Sequence, residues 1–198
     1  MNRLNIVLDL DQTLIAAIPV EEFPFNKKGI KEKALKFPIH NMDEYYIVFE
    51  RPYLDKFLDF LFENFNVIVW TAASKDYALF IIDKIIQTKP ERKLKYIFFS
   101  YHCELSKNYS NGPKKLDMLW EDFKLQGFDK NNTIIIDDLD KVCKDQPCNC
   151  IPAPPFEFED EHCENDTFLK DLIPKLERLR DIYPTLSGDV CLTNYLKT

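Results

Sequence analysis

The feature that most narrows the fold is the stretch Leu4-Asn-Ile-Val-Leu8, which runs straight into Asp9-Leu-Asp11-Gln-Thr13. A segment this apolar is unsuited to a sheet edge and predicts a central strand covered on both faces. Successive strand side chains alternate, so residues i and i+2 share a face. If strand geometry persists past Leu8, Asp9 and Asp11 project from its C-terminal end into one small volume. Carboxylates that close repel unless a cation sits between them or one keeps a proton. A divalent ion with oxygen ligands, plus one acid able to shuttle a proton, would meet both needs. The plainer alternative is an acidic strand-to-turn junction, where Asp and Thr are ordinary.

Length and composition bound the rest. The chain has 198 residues, 45% of them hydrophobic, which suits one domain over residues 1–198 with a sizeable core. A net charge of −7 disfavours a broad electrostatic grip on nucleic acid, while allowing a local basic patch. Four glycines are too few for a Gly-rich phosphate loop, so a phosphate site must use other amides and side chains. No apolar run is long enough to span a membrane. With no leader before the first strand, the expected location is nuclear or cytoplasmic rather than secreted. On that basis the six cysteines read as reduced thiols. Cys143, Cys148, Cys150 and Cys163, with His162, lack the paired C-x-x-C of a zinc site.

Further strands follow the first. Asn66–Trp70 reads as a second buried strand ending in Thr71-Ala-Ala-Ser74, with Ser74 as N-cap of a helix over Lys75–Ile86. Lys95–Ser100 predicts a third strand and Thr133–Ile136 a fourth, which runs into Asp137-Asp138; Ile151 falls in a short fifth. Tyr101–Gly112 reads as polar and irregular. Lys114–Lys124 reads as a helix with Leu116, Leu119, Trp120 and Phe123 on one face, and Asp166–Ile182 as a terminal amphipathic helix. Residues 16–49 form an insertion. Its first part, to Asp43, is irregular and carries a basic flap of Lys27, Lys28, Lys31, Lys33 and Lys36, which could also contact an anionic substrate. Within the insertion, Phe37–His40 and Tyr45–Phe49 pair as strands.

Alternating strands and helices imply an α/β fold, a Rossmann-like, mostly parallel sheet flanked by helices. Ligands of such sheets bind beyond the carboxyl ends of the strands. Asp9, Asp11, Thr13, Thr71, Asp137 and Asp138 can therefore converge, with Lys114 or Lys115 supplying a cation.

These residues resemble the four motifs of the haloacid-dehalogenase superfamily of aspartate-nucleophile phosphatases. Asp9-Leu-Asp11-Gln-Thr13 is similar to D-x-D-x-T, Val69-Trp-Thr71-Ala-Ala-Ser to the second motif, Lys114 to the third and Asp137-Asp138 to the fourth. The closer likeness is to the RNA polymerase II C-terminal-domain phosphatases and NLI-interacting-factor-like proteins. It is carried by Arg51-Pro52 with Phe57-Leu58, by Thr71-Ala-Ala-Ser-Lys-Asp-Tyr77-Ala78, by the position of the insertion, and by Ile151-Pro152 with Asp171-Leu-Ile-Pro174-Lys-Leu176.

The resemblance implies a HAD-like fold with a small β insertion after the first motif and no large cap. It implies a Mg²⁺-dependent protein serine/threonine phosphatase working through an aspartyl-phosphate. Asp9 would be nucleophile and Asp11 the acid and then the base. Thr71 and Lys114 would hold the phosphoryl oxygens. Asp9, the Asp11 carbonyl and Asp138 would bind the metal, Asp137 would bind a metal water or orient Lys114, and Thr13 would order the loop. The substrate would be a phosphoserine or phosphothreonine protein, the polymerase tail being one candidate. Gln12 stands where Glu is common and is expected to face away; Leu139-Asp140 replaces a common Ser-Pro. Lys114 keeps the K-x-L-x-x-L spacing to Leu116 and Leu119, with Lys115 as the alternative. Two other functions compete: a non-catalytic phosphoprotein-binding module of the same fold, and a nucleic-acid end phosphatase.

Overall fold

A computed structural model of the protein describes residues 3–196; Met1 and Asn2, ahead of the first strand, lie outside the described residues. The chain runs β1 (Asn5–Leu8), β2 (Ile15–Pro19), α1 (Ile30–Ala34), β3 (Ile39–Met42), β4 (Tyr46–Glu50), α2 (Leu54–Asn64), β5 (Asn66–Trp70), α3 (Lys75–Ile81), β6 (Tyr96–Phe98), α4 (Ser100–Ser110), α5 (Asp117–Trp120), β7 (Thr133–Asp137), α6 (Asp140–Asp145), β8 (Cys150–Pro152) and α7 (Phe168–Ile182). Among the described residues no helix is long and apolar enough to cross a membrane.

The main sheet is parallel, in the order β6-β5-β1-β7-β8, with β1 in the middle as its composition predicts. Its two faces explain why the strands are apolar throughout. Ile6, Leu8, Val69 and Ile136 point toward α2 and α7, where Phe57, Leu61, Leu172 and Leu176 are buried. Val7, Ile68, Trp70 and Ile135 point the other way, onto Leu116, Met118 and Leu119. Each such buried side chain contributes about 1.5–3 kcal/mol. Leu8 is in register with both Val69 and Ile136, so the ends of β5, β1 and β7 lie level.

The insertion is more ordered than its sequence suggests. β2 pairs with β4, and β4 with β3, in an antiparallel sheet of its own. The β3–β4 hairpin was expected; β2 and α1 fall in the stretch read as irregular. Phe23, Phe37, Phe49, Phe156 and Phe158 form a separate aromatic core here, with Phe49 and Phe158 stacked at 3.9 Å. Lys33 donates to the Asp160 carbonyl at 2.7 Å and Lys36 pairs with Glu164 at 2.6 Å, so two lysines of the basic flap fasten it to the later chain.

Three local expectations are corrected. The polar stretch after β6 is a helix, α4, rather than irregular. Only Cys103 and Ser106 of it are buried, a stripe too narrow to show as periodicity, and Asn111 in the left-handed region ends it. The helix expected over 114–124 shrinks to α5, because Lys114 and Lys124 both have positive φ, and Gln146 takes the neighbouring backbone groups. Its side chain accepts from the Leu116 amide and donates to the Lys114 carbonyl, both at 2.9 Å. Leu116 and Leu119 are still buried, with Trp120 and Phe123 packed beside them. The third correction concerns thiols. Cys143 is bonded to Cys150, and Cys148 to Cys191, because β8 and the C-terminal segment bring their Cα atoms to 5.0 and 4.5 Å. Cys103 and Cys163 are the free, buried thiols.

Candidate active site

The level strand ends deliver most of the expected residues to one place. The Asp9 amide donates to the Ile136 carbonyl at 3.0 Å, extending the β1–β7 ladder one step beyond β1. The chain then turns rather than continuing as strand. Leu14 N donates to Leu10 O at 2.8 Å and Gln12 takes φ 59°. That turn folds Thr13 back on Asp9: its hydroxyl lies 3.2 Å from Asp9 Oδ2 and 3.3 Å from Asp138 Oδ1. Gln12 is exposed and donates to Glu157 at 2.9 Å.

Lys114, not Lys115, enters the carboxylate group. It is only 4% exposed, and its Nζ bonds Asp9 Oδ1 and, at 2.8 Å, Asp137 Oδ2. Its left-handed backbone, φ 48°, belongs to a loop and not to the helix start the sequence suggested. Asp137 is held on its other side by the Leu139 amide, 2.9 Å from Oδ1.

The turn also gives the two aspartates of the first motif different partners. Asp9, Asp137 and Asp138 form the tight group, each with one oxygen within 4.8 Å of the others. Asp11 instead directs Oδ1 to the Tyr77 hydroxyl on α3. Thr71 is buried at the end of β5, one strand over from Asp9. Its amide donates to Phe98 O at 3.0 Å and its hydroxyl accepts from the Ala73 amide at 3.0 Å. Ser74 caps α3 as expected, accepting from the Tyr77 amide at 3.4 Å.

A sequence model of the family described as NLI interacting factor-like phosphatase matches residues 4–187. The chain belongs to that family. It is 47% identical over 182 residues to a CTD phosphatase-like protein of Invertebrate iridescent virus 6, covering 90% of this chain and 96% of the relative. A CTD phosphatase-like protein of Invertebrate iridescent virus 3 is 39% identical over 181 residues, covering 88% of this chain and 96% of the relative. Among solved structures, Fcp1, an essential RNA polymerase II CTD phosphatase, superposes with a TM-score of 0.69 at 18% identity, over 98% of this chain and 70% of that one. The chain is thus an NLI interacting factor-like phosphatase with the fold of Fcp1.

Four carboxylates, Asp9, Asp11, Asp137 and Asp138, share the site with the Lys114 ammonium. Burial by itself would push Lys114 down; Asp9 and then Asp137 outweigh it and hold the ammonium above the ordinary lysine range. Burial, then repulsion from Asp9, raises Asp137 to about 6 and Asp138 to about 7. Burial also raises Asp11 to about 6, against the opposing hydrogen bond from Tyr77. Excess negative charge of this kind, in three converging oxygens, fits a hard divalent cation such as Mg²⁺.

Two residues of the site carried no role in the sequence reading, although both sit in quoted motifs. Arg51 is 1% exposed and forks onto Asp166 at 2.9 and 2.8 Å, while Nη1 donates to the carbonyls of Thr13 at 2.9 Å and Pro154 at 3.0 Å. It braces the first-motif turn against the later chain. Tyr77 binds Asp11. A buried arginine or tyrosine gives no signal in the sequence apart from its place in a motif.

Proposed function

We propose that the protein is a Mg²⁺-dependent phosphatase of phosphoserine or phosphothreonine proteins that works through an aspartyl-phosphate on Asp9. The observation that carries this reading is the seating of Asp9. Oδ1 accepts from Lys114 and Oδ2 from Thr13, which fixes the carboxylate's orientation at the end of the central strand. A nucleophile so held meets phosphorus without first giving up rotamer freedom.

Asp11 stands apart from that group and keeps a raised affinity for its proton, as the acid in such a reaction requires. It would protonate the leaving seryl or threonyl oxygen as the phosphoryl group passes to Asp9, and then take a proton from the water that hydrolyses the acyl phosphate. Lys114 and Thr71 would steady the phosphoryl oxygens, where charge must be held in the transition state. Asp137 keeps Lys114 in place and charged. Asp9, Asp138 and the main-chain carbonyl of Asp11 would hold Mg²⁺. When bound, the ion neutralises the carboxylates and lets an anionic phosphate approach.

The substrate assignment rests on the site's openness and on the relatives. A cleft of about 680 Å³ lies beside Asp11, between the insertion sheet and α3, and is lined by Met42, Tyr45, Tyr46 and Tyr77 among others. Its walls suit a polypeptide flanking the phosphorylated residue, and the names of the viral relatives and of Fcp1 make the polymerase tail the first peptide to try. The direct test compares initial rates on phosphopeptides, polymerase-tail repeats included, with and without chelator. Mg²⁺-dependent release of phosphate supports the reading. Binding of phosphopeptides without any turnover would instead favour a non-catalytic module.

A further inference from the structure

Tyr77 has no part so far in the chemical steps, yet it makes a direct contact with Asp11. Its hydroxyl is hydrogen-bonded to Asp11 Oδ1. Its ring is 7% exposed and packs edge-on against Tyr46 of β4, with centroids 5.3 Å apart and planes at 79°. Its backbone is fixed too, since Tyr77 N is the amide that Ser74 caps at the start of α3. The phenol is thus pinned from three sides, by α3, by the insertion sheet and by Asp11.

We infer that Tyr77 is a positioning residue for leaving-group protonation: by donating to Asp11 Oδ1 it fixes the carboxyl group's orientation and leaves Oδ2 as the oxygen that carries the transferable proton. This rests on the proposed reading of Asp11 as the acid.

The chemistry follows from the contact. A phenol remains protonated through the neutral range, so it donates to a carboxylate. An Asp11 that already accepts on Oδ1 holds its own proton on Oδ2. In the first step the bond from phosphorus to the seryl oxygen breaks, its electron pair goes to that oxygen, and the Oδ2 proton follows. Asp9 forms the new bond to phosphorus. Asp11 is left as a carboxylate with Tyr77 still donating to Oδ1, so Oδ2 is the free base for the water of the second step.

Without Tyr77, Asp11 could rotate or carry its proton on either oxygen, and only part of that population would be productive. Tyr46 lines the same cleft as Tyr77 and Asp11, which gives the insertion a part in this step: it holds the ring that holds the acid.

Leaving groups separate this role from a structural one. A seryl alkoxide needs the proton, whereas p-nitrophenolate departs well without it. Tyr77→Phe keeps the ring and removes the hydroxyl. In single-turnover measurements the rate of the first step on a phosphoserine peptide is expected to fall at least about tenfold, while the burst of p-nitrophenolate release from p-nitrophenyl phosphate slows less than about threefold, out of the roughly 10²–10⁴ that a general acid supplies. In the Asp9→Asn background, where no turnover is expected, adding Tyr77→Phe should weaken phosphopeptide affinity by calorimetry far less than it slows the peptide reaction, since the ring that lines the cleft is kept. An equal loss on both substrates, no loss on either, or weakened peptide binding that accounts for the whole effect would overturn the assignment. If the unmutated protein hydrolyses neither substrate, it is the phosphatase reading that fails, and that outcome is distinct from these.

Discussion

The Lys114 ammonium sits 2.8 Å from the Asp137 carboxylate, and both groups are buried. The pair joins a loop residue to the end of β7 and, through the same nitrogen, to Asp9 on the central strand. Removing one partner of a buried charge pair leaves the other uncompensated, at a cost of about 3–5 kcal/mol. Lys114→Ala is therefore expected to destabilise the protein in urea melts by that amount and to lower kcat/KM on an aryl phosphate by about 10²–10³. Lys115→Ala, one residue along, is expected to stay within about 0.5 kcal/mol of the parent. Equal effects of the two would mean that the lysine is misassigned.

Arg51 supports a second prediction. Its planar fork matches the Asp166 carboxylate with two bonds, while another nitrogen holds Thr13 and Pro154 carbonyls. An ammonium cannot reproduce that geometry. Arg51→Lys and Arg51→Ala should both lose about 3–5 kcal/mol in denaturant melts. Full stability in the lysine variant would show that only the charge matters.

The site carboxylates set a pH dependence of unusual sign. Asp11 and Asp137 are raised to about 6 and Asp138 to about 7, so between the ordinary carboxylate pKa and these values the folded protein binds more protons than the unfolded chain. Stability then falls as pH rises through that window. Asp55 and Asp59, paired with Lys89 and Arg92, are lowered against the burial that opposes them, so their contribution disappears only at lower pH. Melts without divalent cation should show a midpoint that drops from pH 5 toward pH 7.5, with the drop reduced by Mg²⁺ and smaller in Asp138→Asn, where Asp11 and Asp137 still titrate. A midpoint that climbs over this range would contradict the burial of these groups as acids.

Reduction gives a fourth prediction. In the loop-closure view, a link between residues 43 apart, as in Cys148–Cys191, stabilises by about 4 kcal/mol, and one between residues 7 apart, as in Cys143–Cys150, by about 2 kcal/mol. Thiol reductant should lower the melting temperature, and Cys148→Ser should reproduce the larger part of the drop. Melts insensitive to reductant would show that the four cysteines are thiols in solution.

Much of this was legible in the sequence, and the exceptions have physical causes. β1, β5, β7 and α7 announce themselves because burial on two faces, or along one stripe, leaves no choice of residue type. The convergence of Asp9, Asp137, Asp138 and Thr71 follows from parallel strands ending level. The turn after Leu10 is not visible in the sequence, since Gln12 gives no warning of a positive φ, and neither is the contact of Asp11 with Tyr77 that follows from it. α4 was hidden by its polar surface, and the loop around Lys114 by a distant glutamine, Gln146. The cysteine pairs are not legible, because Cys191 meets Cys148 only through the tertiary fold.

The nucleophile is tested most directly by trapping. The protein would be mixed with a phosphoserine peptide carrying radiolabelled phosphate and Mg²⁺, quenched in acid within one turnover, and digested to locate the label. The expected result is acid-stable, hydroxylamine-labile label on the peptide containing Asp9, absent when Asp9→Asn is used or Mg²⁺ is chelated. Turnover of the phosphopeptide with no label on Asp9 would contradict the aspartyl-phosphate mechanism.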